Sequence, residues 1–116
     1  MASVVLIASD IGHREAWRVE LEAHRHDVTI ATTATAAMER LHEGGIDLLL
    51  IDHEVLGGIR SLLAGLERLP DAPPFVLISG AVDAPALSAH IGAAAFLPKV
   101  NAVEELAAVV QRVACS

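Results

Sequence analysis

Hydrophobic positions along this chain follow two patterns. Apolar runs occupy 4–8 (VVLIA), 46–52 (IDLLLID, five of seven residues large aliphatics, ending on a carboxylate) and 75–78 (FVLI), and they lack the alternation of a half-exposed strand. Such runs predict strands buried on both faces, the usual state inside a parallel sheet. Shorter segments at 28–31 and 93–97 are weaker strand candidates. Between the strands the spacing is helical. Trp17 and Leu21 lie four apart among Arg14, Arg18, Glu20 and Glu22, and Ala37, Met38 and Leu41 share a face. Ile59, Leu62, Leu63, Leu66 and Leu69 form the clearest stripe, Leu87 and Ile91 a short one, and Val103, Leu106, Ala107, Val110 and Val113 the last. Punctuation fits these elements. Gly12 breaks the first strand, one of Thr32, Thr33 and Thr35 caps the second helix, and Gly44–Gly45 close it. Gly57–Gly58 precede the third helix, which stops before Pro70, with Pro73–Pro74 as connector. Asp83 caps the fourth helix, with Pro85 tolerated in its first turn, and Gly92 ends it.

Five strands alternating with five helices over short links imply right-handed crossovers and a sheet covered on both faces. The expected fold is α/β, a flavodoxin-like doubly wound five-stranded parallel sheet of order 2-1-3-4-5 flanked by five helices. That order places the first and third strands side by side, and ligand sites of such sheets gather outside the carboxyl ends of the strands. Residues 1–116 are expected to form a single domain, with no output domain among them.

Composition narrows the classes. Apolar residues make up 53% of the 116 and charged residues 20%, which argues against disorder. A formal charge of −7 with no Lys/Arg cluster argues against nucleic-acid binding. Trp17, Phe75 and Phe96 are too few aromatics for stacking on bases or on a flavin. Cys115 is the sole cysteine, expected to be an inert residue; it excludes an internal disulfide and fits a reducing compartment. No run is long enough to span a membrane and no secretory pattern opens the chain, so a cytoplasmic location is expected.

The strand ends carry the chemistry. Ser9 and Asp10, Asp52, Ser79 and Lys99 each follow an apolar run and would meet on one rim. Lys99 is the only lysine, and a compact ammonium suits a single phosphate contact. Two carboxylates make a hard oxygen site of the kind Mg²⁺ shares with waters and phosphate oxygens. A carboxylate can itself be the nucleophile, giving an acyl phosphate.

On these residues, Asp10, Asp52, Ser79 and Phe96-Leu97-Pro98-Lys99 in that order, the chain resembles the receiver domain of two-component response regulators over its whole length. The resemblance implies that Asp52 is the phosphoacceptor, loaded by a sensor histidine kinase or a phosphotransfer protein. It implies Mg²⁺ held by Asp10, Asp52 and the Glu54 backbone carbonyl, with Ser79 and Lys99 on the phosphoryl group. Ser79 and Phe96 would be the switch pair. The output would be a downstream protein target or a homodimer, engaged through the fourth helix, fifth strand and fifth helix. Beyond self-phosphorylation and autodephosphorylation no enzymatic activity is expected.

The chain also departs from the family. Ser9 stands where a second acid is usual, which predicts weaker Mg²⁺ binding, and Val55-Leu56-Gly57-Gly58 replaces the usual loop after the phosphoacceptor. Val100 follows the lysine in place of proline, so a trans Lys99–Val100 bond is expected. Glu54 adds negative charge at the mouth of the site. These departures keep open an alternative, a phosphorylation-independent docking or dimerisation module. Among the histidines, His24 and His26 read as solvated surface groups and His53 as a loop residue lining the site. A flavin binder lacks its Ser/Thr-rich loop here. A dehalogenase-type phosphatase lacks its second acid, because Ile11-Gly12 follow Asp10.

Overall fold

The computed structural model describes residues 2–55 and 57–114; Leu56 and Cys115 lie outside the described residues. Strands β1 (Ser3–Ile7), β2 (Asp27–Ala31), β3 (Leu48–Asp52), β4 (Phe75–Ser79) and β5 (Ala95–Pro98) alternate with helices α1 (Ile11–Ala23), α2 (Ala34–His42), α3 (Ile59–Glu67), α4 (Ala84–Ile91) and α5 (Ala102–Ala114). All strand pairs are parallel, and the sheet order is β2-β1-β3-β4-β5. The central strand β3 is buried at every position, as its unbroken apolar run predicts.

Alternation along the strands sends side chains to two separate cores. Val4, Leu6, Leu48, Leu50, Val76 and Ile78 point to one face, where Trp17 and Leu21 of α1 and Leu106, Val109 and Val110 of α5 cover them. Val5, Ile7, Leu49 and Ile51 point to the other, under Ala37 and Leu41 of α2 and Leu62 and Leu66 of α3. Helix α4 is different in kind. It buries only Ala84 and Ser88, residues too small to anchor it deeply, and it packs against β5.

Several boundaries differ from the sequence expectation, each for a physical reason. Gly12 lies inside α1, because Asp10 caps the helix one residue before Ile11. Ile46 and Asp47 precede β3; the Asp47 carboxylate accepts from Ser3 N–H at 2.8 Å and ties the two strand starts together. Ala93 and Ala94 lead into β5 instead of belonging to it, because the Ala93 amide is used to close α4, donating to Ser88 O at 3.1 Å. Leu69 falls beyond the end of α3 yet still packs on its core. Val103 turns outward at 38% exposure, and Ala102 and Val109 take buried places in α5. Thr33 is the residue that caps α2, accepting from Ala36 N–H at 3.1 Å. Asp83 occupies the cap position of α4 without a side-chain bond.

His26 is the clearest correction. It is buried at 7% exposure, and its Nδ1 accepts from Ala2 N–H at 3.1 Å. The cause lies in how α1 ends. Arg25 takes a left-handed conformation (φ 67°), and the His26 and Arg25 amides donate to Leu21 O and Glu22 O, closing the helix with a doubled bond in which glycine usually holds the place of Arg25. That turn directs residue 26 beneath the start of β1. His24 remains exposed, its Nδ1 3.0 Å from Glu20 O.

Candidate functional site at the carboxyl end of the sheet

Every strand end named from the sequence reaches the same rim. Register pairs Ile7 with Ile51 and Asp52 with Ile78, while Ser79 lies beside Pro98, so Asp10, Asp52, Ser79 and Lys99 leave neighbouring strands at one level. An open cleft of about 530 Å³ lies at this rim, lined by His13, His53, Glu54, Ser79, Gly80 and Lys99 among others.

Asp52 ends β3 almost wholly buried, at 1% exposure. Its Oδ1 accepts from the Glu54 amide at 3.1 Å and lies 3.1 Å from Lys99 Nζ. A carboxylate buried this far needs such compensation, since an unpaired buried charge is strongly disfavoured. Lys99 follows Pro98 into a short 3₁₀ turn, Lys99–Asn101, that aims its stem back across the rim. Its ammonium also reaches Glu54 Oε2 at 3.3 Å. Partial burial works against the Lys99 charge. The hydrogen bond and charge of Asp52, followed by those of Glu54, outweigh it and hold the lysine above its ordinary pKa. Glu54 itself is open to solvent, its side chain 84% exposed.

Asp10 sits across the switch point as the N-cap of α1, its Oδ1 accepting from His13 N–H at 3.0 Å. That hydrogen bond is the main cause of a pKa below the ordinary carboxylate value, against a small opposing desolvation; the charges of His13 and Lys99 add to it. Asp10 is therefore an ionised, solvent-facing acid. Ser9 donates its hydroxyl to Thr32 O at 2.9 Å, bracing the β1 and β2 ends. Gly12 allows the cap: a Cβ there would stand 3.3 Å from Asp10 Oδ1.

Ser79 ends β4 at 3% exposure, its Oγ accepting from Ala81 N–H at 3.1 Å and lying 2.8 Å from His53 Nδ1. Phe96 lies in β5 beside Leu77, half-buried. Every described peptide bond is trans, Lys99–Val100 included.

The donor set suits a small hard cation. Asp10, just beyond β1, and Asp52, at the end of the adjacent β3, offer carboxylate oxygens, each carboxylate has acceptor capacity beyond the bonds already named, and the Glu54 carbonyl would complete the set. Among the described residues no three His, Cys, Asp or Glu side chains converge. A site here would thus depend on few protein ligands, the arrangement Mg²⁺ shares with waters and phosphate oxygens.

Two contributions go beyond the sequence reading. His53, expected to line the site as a loop residue, is the side-chain partner of Ser79. His13 lines the cleft and stacks on Trp17, with ring centroids 5.4 Å apart; the i, i+4 spacing was visible but ambiguous. A second cleft of about 400 Å³, lined by Leu63, Leu66, Phe75 and Ile91 among others, is mainly apolar and lies away from this rim.

Comparison with known proteins places the fold. No protein-family model matches the sequence, and no curated protein sequence matches it. Solved structures do match. A response regulator from Chloroflexus aurantiacus superposes with a TM-score of 0.90 at 18% identity, covering 99% of this chain and 98% of that one. The receiver domain of the Francisella response regulator 1452 gives 0.88 at 19%, covering 99% and 98%. A CheY-like receiver domain from Methylobacillus flagellatus gives 0.84 at 19%, covering 97% and 98%. The chain has the receiver-domain fold of response regulators over essentially its whole length. Among the described residues, no helix is long and apolar enough to cross a membrane.

Proposed function

We propose that this domain is a phosphoacceptor in two-component signalling, with Asp52 as the residue modified. The observation that carries the reading is the buried Asp52–Lys99 pair at the carboxyl end of the central strand, beside a buried Ser79 hydroxyl, on a receiver fold. An Asp52 carboxylate oxygen attacks the phosphorus of a phosphohistidine on a kinase or phosphotransfer partner. The O–P bond forms, the P–N bond breaks, and the imidazole leaves with the electron pair and takes up a proton from water. Asp52 becomes an acyl phosphate. Lys99 already stands 3.1 Å from Asp52 Oδ1 and offsets charge as the phosphoryl group arrives. Ser79, one strand over, supplies a hydroxyl to a phosphoryl oxygen. Asp10, Asp52 and the Glu54 carbonyl would hold Mg²⁺, whose charge offsets repulsion between the incoming group and the two acids.

Phosphorylation adds roughly −1.5 to −2 charges at pH 7. The consequence is a bias between two arrangements of the α4–β5–α5 face, carried by Ser79 and Phe96, toward a protein target or a second copy of the chain. Helix α4 suits that part because Ala84 and Ser88 are its only fully buried residues, with Leu87 and Ile91 half-buried. No reaction on a third molecule is assigned, and the domain works in the cytoplasm with its kinase.

The deciding measurement is intact mass after incubation with a small-molecule phosphodonor, with and without Mg²⁺, beside an Asp52→Asn control. One phosphoryl group that requires both Mg²⁺ and Asp52 is the expected result. No adduct, with no Mg²⁺ binding, would favour the docking module that acts without phosphorylation. The observation behind that second reading is that both working groups are already engaged, Lys99 by Glu54 and Ser79 by His53.

A further inference from the structure

His53 has no part in the scheme above, yet its ring holds the one hydroxyl that scheme needs to release. Ser79 Oγ receives the Ala81 N–H at 3.1 Å, which occupies one acceptor position. A serine hydroxyl offers a single proton and two lone pairs. The 2.8 Å bond to His53 Nδ1 takes up much of what is left, and at 3% exposure Ser79 has little water to exchange with. His53 is fixed in turn by its own backbone, whose N–H continues the sheet by donating to Ile78 O at 2.9 Å. The histidine and the serine thus emerge from adjacent strands at the same level and meet across the rim.

The ring also borders two cavities. One is the cleft that Ser79 and Lys99 line; the other, about 460 Å³, lies between α3 and α4 and is lined by Ile59, Leu63 and Leu87 among others. A side chain released from Ser79 has space on the α4 side.

We propose that His53 is a positioning residue that holds the Ser79 hydroxyl in the resting state, so that Ser79 reaches a phosphoryl oxygen only by exchanging His53 Nδ1 for it. The proposal rests on Asp52 being a phosphoacceptor. An interaction made only before phosphorylation weighs against the phosphorylated state by its own net strength. For one neutral hydrogen bond that is roughly a 2- to 10-fold effect on the equilibrium. The freed ring would turn toward α4, which places the loosely anchored helix next to the event at Ser79.

The test is steady-state phosphorylation by a small-molecule phosphodonor with Mg²⁺, read by intact mass against donor concentration. His53→Leu and His53→Phe remove the nitrogen, one with and one without a flat ring, so that a folding failure in either leaves the other. Both should lower the donor concentration at half-phosphorylation roughly 2- to 10-fold. His53→Asn, which keeps a polar atom near the Nδ1 position, should stay close to the parent chain. In a Ser79→Ala background the His53 substitutions should have no effect, a result that a merely structural role would not produce. Equal shifts with and without Ser79, or none in either, overturn the proposal while leaving the phosphoacceptor reading intact. Failure of the parent chain to take up phosphate overturns both.

Discussion

The two ends of the sheet both carry polar side chains, and they use them in opposite ways. At the amino end His26 and Asp47 accept from the backbone amides of Ala2 and Ser3, at 3.1 and 2.8 Å. A backbone amide has no alternative conformer to adopt, so these bonds fasten β1 to the start of β2 and to the approach to β3. At the carboxyl end Asp10, Asp52 and Ser79 accept from nearby amides too, but there side chains also bond one another across the rim: Lys99 to Asp52 and Glu54, and His53 to Ser79. Side chains can exchange partners at little cost to the fold. One end is a fastening and the other is a site, although their residue types are much the same.

Substitutions sharpen that contrast. The largest effect is expected for His26→Leu, which leaves the Ala2 amide buried without its acceptor and should cost about 1–3 kcal/mol in urea denaturation. Asp47→Ala removes the acceptor for Ser3 N–H in a more exposed setting and should cost roughly 0.5–1.5 kcal/mol. The smallest change is expected at the other end, where Glu54→Gln should stay within about 0.5 kcal/mol because the side chain is largely in solvent. A Glu54 effect as large as that of His26 would break the comparison.

Acid should act through the fastened end. Burial pushes the His26 imidazole below its ordinary pKa of 6.5, and the neutral ring is the form that accepts from Ala2. The unfolded chain therefore binds the proton more readily than the folded one, and stability rises with pH across the interval between the two values. The His26 contribution is complete above about pH 6.5 and is lost as pH falls below it. Urea midpoints measured on both sides of that pH should show the loss. His26→Asn, which can keep an acceptor without titrating there, should flatten the slope by the His26 share. An unchanged slope would remove His26 from the account.

Much of this architecture was legible in the linear pattern. Unbroken apolar runs at β1, β3 and β4 could only be satisfied by burial on both faces, and their spacing left room for one helix each. The abrupt polar endings Asp10, Asp52, Ser79 and Lys99 followed from the same pattern, because parallel register brings the ends of neighbouring strands to one level. Less legible were elements whose boundaries depend on partners. Ala93 and Ala94 are apolar enough for a strand, but the Ala93 amide donates to Ser88 O and closes α4, so the strand starts only at Ala95. His24 and His26 are two residues apart and alike in type; one is exposed and the other buried, because Arg25 adopts a left-handed turn that no local propensity favours.

What the sequence determined by itself was the periodicity, and with it the sheet, the helices and the rim on which the chemistry falls. Only the tertiary structure decided which polar groups face each other across that rim. The Ser79–His53 bond joins residues 26 apart in the chain, and the Lys99–Glu54 pair residues 45 apart. Hydrophobic burial depends on a pattern repeated over many residues and survives local error. A hydrogen bond depends on a few tenths of an ångström between two particular atoms, and that distance exists only once the strands have paired.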